Sequence, residues 1–341
     1  MKKFKLAVVG VGAVGKEIVK VLKERDFPME SLTLIGRRKR VEKWNGEEYA
    51  IESIEDINWS SFDLALFAGT EGEKGASVQF GWKAVQEGCV VIDNGDDFRM
   101  DPRVPLVIPE INAEDLAQHQ GLIANPNCST IQMAMALFPL HRAWKLKEVM
   151  VSTYQAVSGS GTGGIRELET QARQWCQNQP LSAGPTYNYP IFGNLIPQIS
   201  SLREDFPGYF KEEIKMLLET RKIFHLPHLA VSATCVRVPV FNCHSEVIVA
   251  RFQNKVSIEE ARRLWNEFPG IQILDEPEKG IYPVPIQCSG KDEVFIGRIR
   301  ASLLGENVLE FWTVSDNLRK GAALNAVQIA ETLLQRDLLK I

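Results

Sequence analysis

Apolar residues along this chain come in short bursts separated by glycine and polar turns. In the first third the bursts alternate between two periods. Residues 4–9 form a compact apolar run of strand type, and the stretch after it sets Ile18, Val19 and Leu22 on one helical face. Residues 32–35, 63–67 and 89–93 read as further strands, with a helix over 75–87 between the last two. Strands alternating with helices predict an α/β, Rossmann-like, doubly wound parallel sheet, with ligand loops at the carboxyl ends of its strands. Those loops are residues 10–15, 68–72 and 94–99.

Helical spacing returns at Ile131, Ala134, Met135, Leu137 and Phe138. After residue 145 the texture changes. Residues 147–153 read as a strand that continues through Tyr154-Gln155-Ala156-Val157 into the glycine-dense segment 158–164. Helices are expected over 165–178, 211–222 and 258–267, and irregular chain over 180–208. The runs 230–240, 247–249, 294–303 and 308–314 are of β type, and a long helix begins near residue 318 and runs to about 339. These patterns predict a second, α+β domain with a mixed or antiparallel sheet. The expected division is residues 1–130 plus 318–341 for the first domain and 131–317 for the second.

Length and charge narrow the picture. A chain of 341 residues is too long for one ordinary core. Its formal net charge of −4 argues against a nucleic-acid binder driven by bulk charge. No apolar run reaches the ~20 residues that a membrane helix needs. The N-terminal apolar run is short, contains Lys5 and passes straight into Gly10, so it reads as a first strand and not a signal peptide. Six scattered cysteines without a Cys-x-x-Cys pair read as reduced thiols of a cytoplasmic protein, and five histidines without ligand spacing suggest no metal site.

Candidate chemistry starts at Asn125-Pro126-Asn127-Cys128-Ser129. Cys128 stands where a helix begins, and the backbone N–H groups and dipole there favour a thiolate or a bound phosphate. A structural reading, Cys128 as a small buried apolar residue, stands beside it. Strand, then Gly10-Val11-Gly12-Ala13-Val14-Gly15, then helix is the setting of a dinucleotide-binding turn. The second strand ends in Gly36-Arg37-Arg38-Lys39-Arg40, with no carboxylate for a ribose hydroxyl. Arg37 and Arg38 therefore point to a 2′-phosphate, that is NADP(H), with a solvated basic turn as the alternative. Arg99, after a strand-end loop, suits an anion. Glu212 and Lys215 share a helix face, Arg237 interrupts an apolar strand, and His244 follows it as an acid/base candidate. The glycine-dense segment around Ser158 and Gly159 and the turn at Asn317 can approach a cofactor.

Taken in order, these motifs resemble the aspartate-β-semialdehyde dehydrogenase family over nearly the whole chain. The resemblance adds Phe98-Arg99-Met100-Asp101-Pro102, Ile108-Pro109-Glu110-Ile111-Asn112, Cys235-Val236-Arg237-Val238-Pro239-Val240 and Cys243-His244-Ser245-Glu246. It implies reductive dephosphorylation of L-4-aspartyl phosphate by NADPH, a step towards lysine, threonine and methionine, in a homodimer or a tetramer of paired dimers. It implies Cys128 as nucleophile, His244 as general acid/base and Gln155 as the group orienting the acyl carbon. Arg237 would hold the substrate carboxylate and Glu212 its ammonium, while Arg99, Asn127 and Lys215 would bind phosphate. The adjacent Glu213 competes with Glu212 for its role. The chain departs from the family in a glycine loop one residue shorter, in acids at Asp96 and Asp97 where serines are usual, and in Gly36 where serine is common. Two other classes remain in view: a reductase of N-acetylglutamyl phosphate, and a catalytically silent NADP-binding regulator.

Overall fold

The computed structural model describes residues 2–69, 72 and 74–339. Thr70 and Glu71 of the expected loop 68–72 lie outside the described residues. The chain forms two compact units, residues 1–126 with 322–341, and residues 127–321. The division falls just before Cys128 and not after Thr130, because the cysteine opens a helix that belongs whole to the second unit.

In chain order the first unit contains β1 (Phe4–Val9), α1 (Ala13–Glu24), β2 (Met29–Gly36), β3 (Arg40–Trp44), β4 (Glu47–Ser53), β5 (Leu64–Phe67), α2 (Ala76–Gln86), β6 (Val90–Asp93), the short α3 (Pro109–Asn112) and β7 (Leu122–Ala124). The second contains α4 (Cys128–Trp144), β8 (Leu146–Gln155), α5 (Gly161–Cys176), α6 (Lys211–Ile223), β9 (Ala230–Arg237), β10 (His244–Phe252), α7 (Ile258–Glu267), β11 (Ile271–Ile273), the short α8 (Pro285–Cys288), β12 (Val294–Ala301) and β13 (Val308–Ser315). The chain returns to the first unit as α9 (Leu324–Gln335), after a π-helical turn at Arg319–Ala323.

The first sheet has the order β3-β4-β2-β1-β5-β6-β7 and is parallel except for β3. Its central strands are buried on both faces, which explains their continuous apolar runs. Ile18, Leu22, Val327 and Leu333 from α1 and α9 join β1 and β5 residues in one core. The strand order reverses at β1, where a doubly wound sheet opens its ligand crevice, and the glycine turn sits there. Gly10 has φ +93°, and a Cβ on Gly15 would stand 1.8 Å from the Gly10 carbonyl oxygen. The hairpin β3–β4 is absent from the sequence reading. Half of its strand residues are charged, because it lies at the sheet edge with little to bury. The local signal was Asn45-Gly46, both at positive φ, with Trp44 stacked on Tyr49 beyond it.

The second sheet is mixed, in the order β11-β12-β13-β10-β8-β9, with β8–β9 and β11–β12 parallel. A 3₁₀ turn at Val157–Ser160 leads into α5, which starts at Gly161, so the glycine-dense segment spans that turn and the helix's first residues. β9 stops at Arg237, ahead of Pro239, which cannot donate to a ladder. β10 begins at His244, several residues earlier than the apolar run suggests. The final helix is shorter than expected and starts at Leu324.

Gly15→Ala should destabilise the first unit by about 1–3 kcal/mol, because α1 must move off the β1 turn to admit a methyl group. Urea denaturation of the two proteins side by side measures this. An unchanged midpoint would mean that the turn is looser than the close approach implies.

Candidate active site

Period-two alternation on the second sheet places the chemistry in rows. On the face that buries Val149 and Val151, β8 also presents Thr153 and Gln155. The matching faces present Cys235 and Arg237 from β9, His244 and Glu246 from β10, and Thr313 and Ser315 from β13. Gln155 pairs with Arg237, and His244 with Ser315, so one row at the strand ends carries Gln155, Arg237 and His244. The next row carries Thr153, Cys235, Glu246 and Thr313.

Cys128 is the first residue of α4, as its position after Asn-Pro-Asn predicts. Asn127 is the N-cap: its Oδ1 accepts from the N–H groups of Ser129 and Thr130 at 3.0 and 3.1 Å. Those two amides are satisfied from within the chain, so this helix end differs from the open phosphate cradle expected there. Burial, more than any neighbouring charge, keeps other thiols protonated, pushing Cys89 up to about 12 and Cys288 to about 11. Cys128 instead is half-buried at a helix N-terminus. A Cβ on Gly321 would stand 2.8 Å from the Cys128 Cβ, so the absence of a side chain there makes room for the cysteine.

Glu212 ties these parts together. Its Oε1 accepts from Asn127 Nδ2 at 2.8 Å and from Gln155 Nε2 at 3.2 Å, and its Oε2 lies 3.7 Å from Lys215 Nζ. Burial would raise its carboxyl, but Lys215, Asn127, Arg237 and Gln155 together outweigh burial and hold it below its usual range. Glu213 does other work: its oxygens accept from the N–H groups of Phe210 at 2.8 Å and Cys235 at 3.1 Å, capping α6 and docking it on β9. Geometry therefore separates the two neighbouring acids.

Arg237 is buried, donates from Nη1 to the Ala156 carbonyl at 2.7 Å, and has no partner for Nε. The Ala156 N–H in turn donates to His244 Nδ1 at 3.1 Å. His244 is fully buried with no partner for Nε2. A Cβ on Gly159 would come within 2.8 Å of Arg237 Nη1 and 3.1 Å of His244 Nε2. The bare glycine thus leaves a space that the guanidinium and the imidazole both border. Ser158 and Asn317, expected at a cofactor, are buried and bonded to each other at 3.0 Å, and Asn317 Oδ1 also accepts from Cys243 N.

In the first unit, Arg99 is buried and donates from Nε to the Asn125 carbonyl at 3.0 Å and from Nη2 to the Asn94 carbonyl at 2.9 Å. A Cβ on Gly12 would meet nothing within 4 Å, so the turn between β1 and α1 faces open space, as a pyrophosphate needs. Arg37 and Arg38 are exposed where β2 ends. Among the described residues, no group of three or more His, Cys, Asp or Glu side chains could hold a metal ion, and no helix is long and apolar enough to cross a membrane.

Comparison with known proteins gives the family. Residues 5–119 match the family model "Semialdehyde dehydrogenase, NAD binding domain", and residues 137–320 match "Semialdehyde dehydrogenase, dimerisation domain". The chain is 45% identical to the aspartate-semialdehyde dehydrogenase of Aquifex aeolicus, covering 98% of this chain and 99% of the relative. It is 42% identical to that of Bacillus subtilis, covering 98% of each. The chain belongs to the aspartate-semialdehyde dehydrogenase family. Its fold also matches the crystal structure of aspartate semialdehyde dehydrogenase II from Vibrio cholerae complexed with ASA, with a TM-score of 0.92 at 38% identity over 98% of this chain and 99% of that one.

Within this family frame the structure adds residues that the sequence reading missed. Glu219, buried, accepts from the Asn127 N–H at 2.7 Å. It stands two helical turns from Glu212 on the same face of α6, a spacing that the sequence does show. The Ala156 main chain, clamped between Arg237 and His244, leaves no mark in sequence. Glu246 is fully buried, with Thr313 Oγ1 at 3.4 Å from one oxygen and no partner for the other. Burial pushes its carboxyl well above the ordinary range, and neighbouring Glu212 adds to this.

Glu246 therefore holds its proton to higher pH in the native state than in the unfolded chain, which releases it around its ordinary value of 4.5. The unfolded state binds fewer protons there, so this residue lowers stability as pH rises past 4.5. Glu246→Gln should melt a few degrees higher than the native chain at neutral pH, and the gain should vanish below that value. Melting curves across pH test this, and a variant that melts lower at neutral pH would count against a raised carboxyl.

Proposed function

We propose that this chain converts L-4-aspartyl phosphate and NADPH, reversibly, to aspartate 4-semialdehyde, NADP⁺ and phosphate. The observation that carries the reading is the pairing, in one unit, of a buried arginine with an unpartnered Nε and a buried carboxylate held ionised, beside a cysteine at a helix N-terminus. An amino-acid head group has the complementary charges. Arg237 would take its carboxylate and Glu212 its ammonium, and Lys215 would face the phosphate. A substrate acetylated on nitrogen has no ammonium to offer Glu212.

Cys128 attacks as the thiolate. Its sulfur bonds to the acyl carbon, and the carbonyl pair moves onto oxygen. The pair returns as the bond to phosphate breaks, leaving a thioester and phosphate. Gln155, fixed by Glu212 and Thr153, orients the acyl group. NADPH, when bound, supplies the hydride that takes the thioester carbon to the aldehyde. The turn Gly10-Val11-Gly12-Ala13-Val14-Gly15 would hold its pyrophosphate and Arg37 and Arg38 its 2′-phosphate. The matched dimerisation domain supports a homodimer, and the pathway supports a cytoplasmic setting.

The test follows cofactor absorbance with purified protein, aspartate semialdehyde, phosphate and either NADP⁺ or NAD⁺. Phosphate-dependent reduction of NADP⁺ is expected, with a loss of at least ~10³-fold in Cys128→Ser. Turnover of N-acetylglutamate semialdehyde alone would transfer the chain to the other substrate. Replacing Arg37 and Arg38 together by serine should cut the preference for NADP⁺ over NAD⁺ at least about tenfold. Equal use of both cofactors by the native chain would remove that role.

A further inference from the structure

The cap of α4 is divided between two helices. In a capping box the N-cap side chain accepts from an amide of the first turn, and a side chain three residues on accepts from the N-cap N–H in return. Asn127 makes the first half of this exchange, with Ser129 and Thr130. The residue placed to make the second half is Thr130, whose Oγ1 is buried and has no partner. The return acceptor comes from α6 instead, where buried Glu219 brings Oε2 to 2.7 Å from the Asn127 nitrogen. Two side chains of α6 thus hold the residue before Cys128. Glu212 takes the tip of the Asn127 side chain at 2.8 Å, and Glu219 takes its main chain. One bond leaves a residue free to swing about it, whereas bonds at both ends fix its orientation. α6 is itself anchored, by Glu213 on the Cys235 N–H and by Arg221 Nε on the Leu229 carbonyl at 2.8 Å. A box closed within α4 would cap that helix without tethering it to α6.

We propose that Glu219 is a positioning residue, which through the Asn127 amide sets the placement of the Cys128 sulfur against a substrate held by Glu212 and Lys215 on the same helix. This rests on the reaction assigned above. Attack requires the acyl carbon and the sulfur to stand in near-contact, and small errors of placement lower the rate strongly. Glu219 touches neither substrate nor cofactor in this account. Without it the substrate's binding groups stay in place on α6. The thiol stays reactive too, because Asn127 Oδ1 still caps α4. What is lost is the register between them.

Three variants test this. Glu219→Ala removes the acceptor, Glu219→Met removes it at similar volume, and Glu219→Gln keeps one. Each is assayed with aspartate semialdehyde, phosphate and NADP⁺. Each is also treated with iodoacetamide in the absence of substrates, and Cys128 alkylation is followed by peptide mass, which separates it from exposed Cys176. In the alanine and methionine variants kcat should fall at least about tenfold. KM for aspartate semialdehyde and the rate of Cys128 alkylation should each stay within about threefold of the native chain. The glutamine variant should recover kcat to within about threefold of native. Alkylation that slows as much as turnover would place the effect on the thiol itself and overturn the proposal. So would a risen KM at native kcat, an unchanged kcat, or equal loss in the glutamine variant. If neither the alanine nor the methionine variant folds, the role is structural and the proposal falls. A native chain without turnover would overturn the assigned reaction, and with it the register that Glu219 serves.

Discussion

The second unit is organised by a carboxylate taken wholly out of water. Glu212 is ionised in a buried place, and an isolated charge there would be very costly. Its stability depends on donors, and these are Asn127 beside the nucleophile, Gln155 at the end of β8, and Lys215 on its own helix. One residue thereby fixes the start of α4, the last residue of a strand and the orientation of α6. Arg237 supplies further positive charge, and Glu219 meets the Asn127 main chain from the same helix face. Structural order and chemical order coincide here because the groups that neutralise Glu212 are those proposed to meet the substrate.

The fold was legible where burial dictates pattern. Central strands of the first sheet are apolar on both faces, and the turn at Gly10 is tied to a backbone geometry that side chains resist. Legibility failed where little is buried, as in the charged hairpin β3–β4, and where an element starts with polar residues, as β10 does at His244. The reason is common to both. Hydrophobic period reports the core, and a strand whose inward residues are His244 and Glu246 carries a core period in polar letters.

The site was legible as a set of residues and not as a network. Cys128, Gln155, Glu212, Arg237 and His244 could be named from motifs, and the structure gathers them in one unit. The bonds among them were hidden for two reasons. Several join residues far apart in the chain, as Asn127 and Glu212 are. Others run to main-chain atoms, as the two bonds of Ala156 do, and every residue type offers the same main chain. The choice between Glu212 and Glu213 shows the difference. Sequence treats them as equals, while packing gives one to main-chain amides and the other to side chains.

Cys243 shows how such a site narrows what mutation can try. Its backbone sits at φ +73°, a region that glycine occupies freely and cysteine reluctantly. Its N–H is held by Asn317, and this turn delivers the chain into β10 with His244 first. Yet its side chain is packed with Cys288, Phe295 and Val314. Glycine would ease the backbone and leave a hole, whereas a larger apolar residue would suit the neighbours less well and worsen the bend. A small, unbranched, apolar side chain is the compromise, so drift at this position is confined to very few alternatives although it touches no substrate.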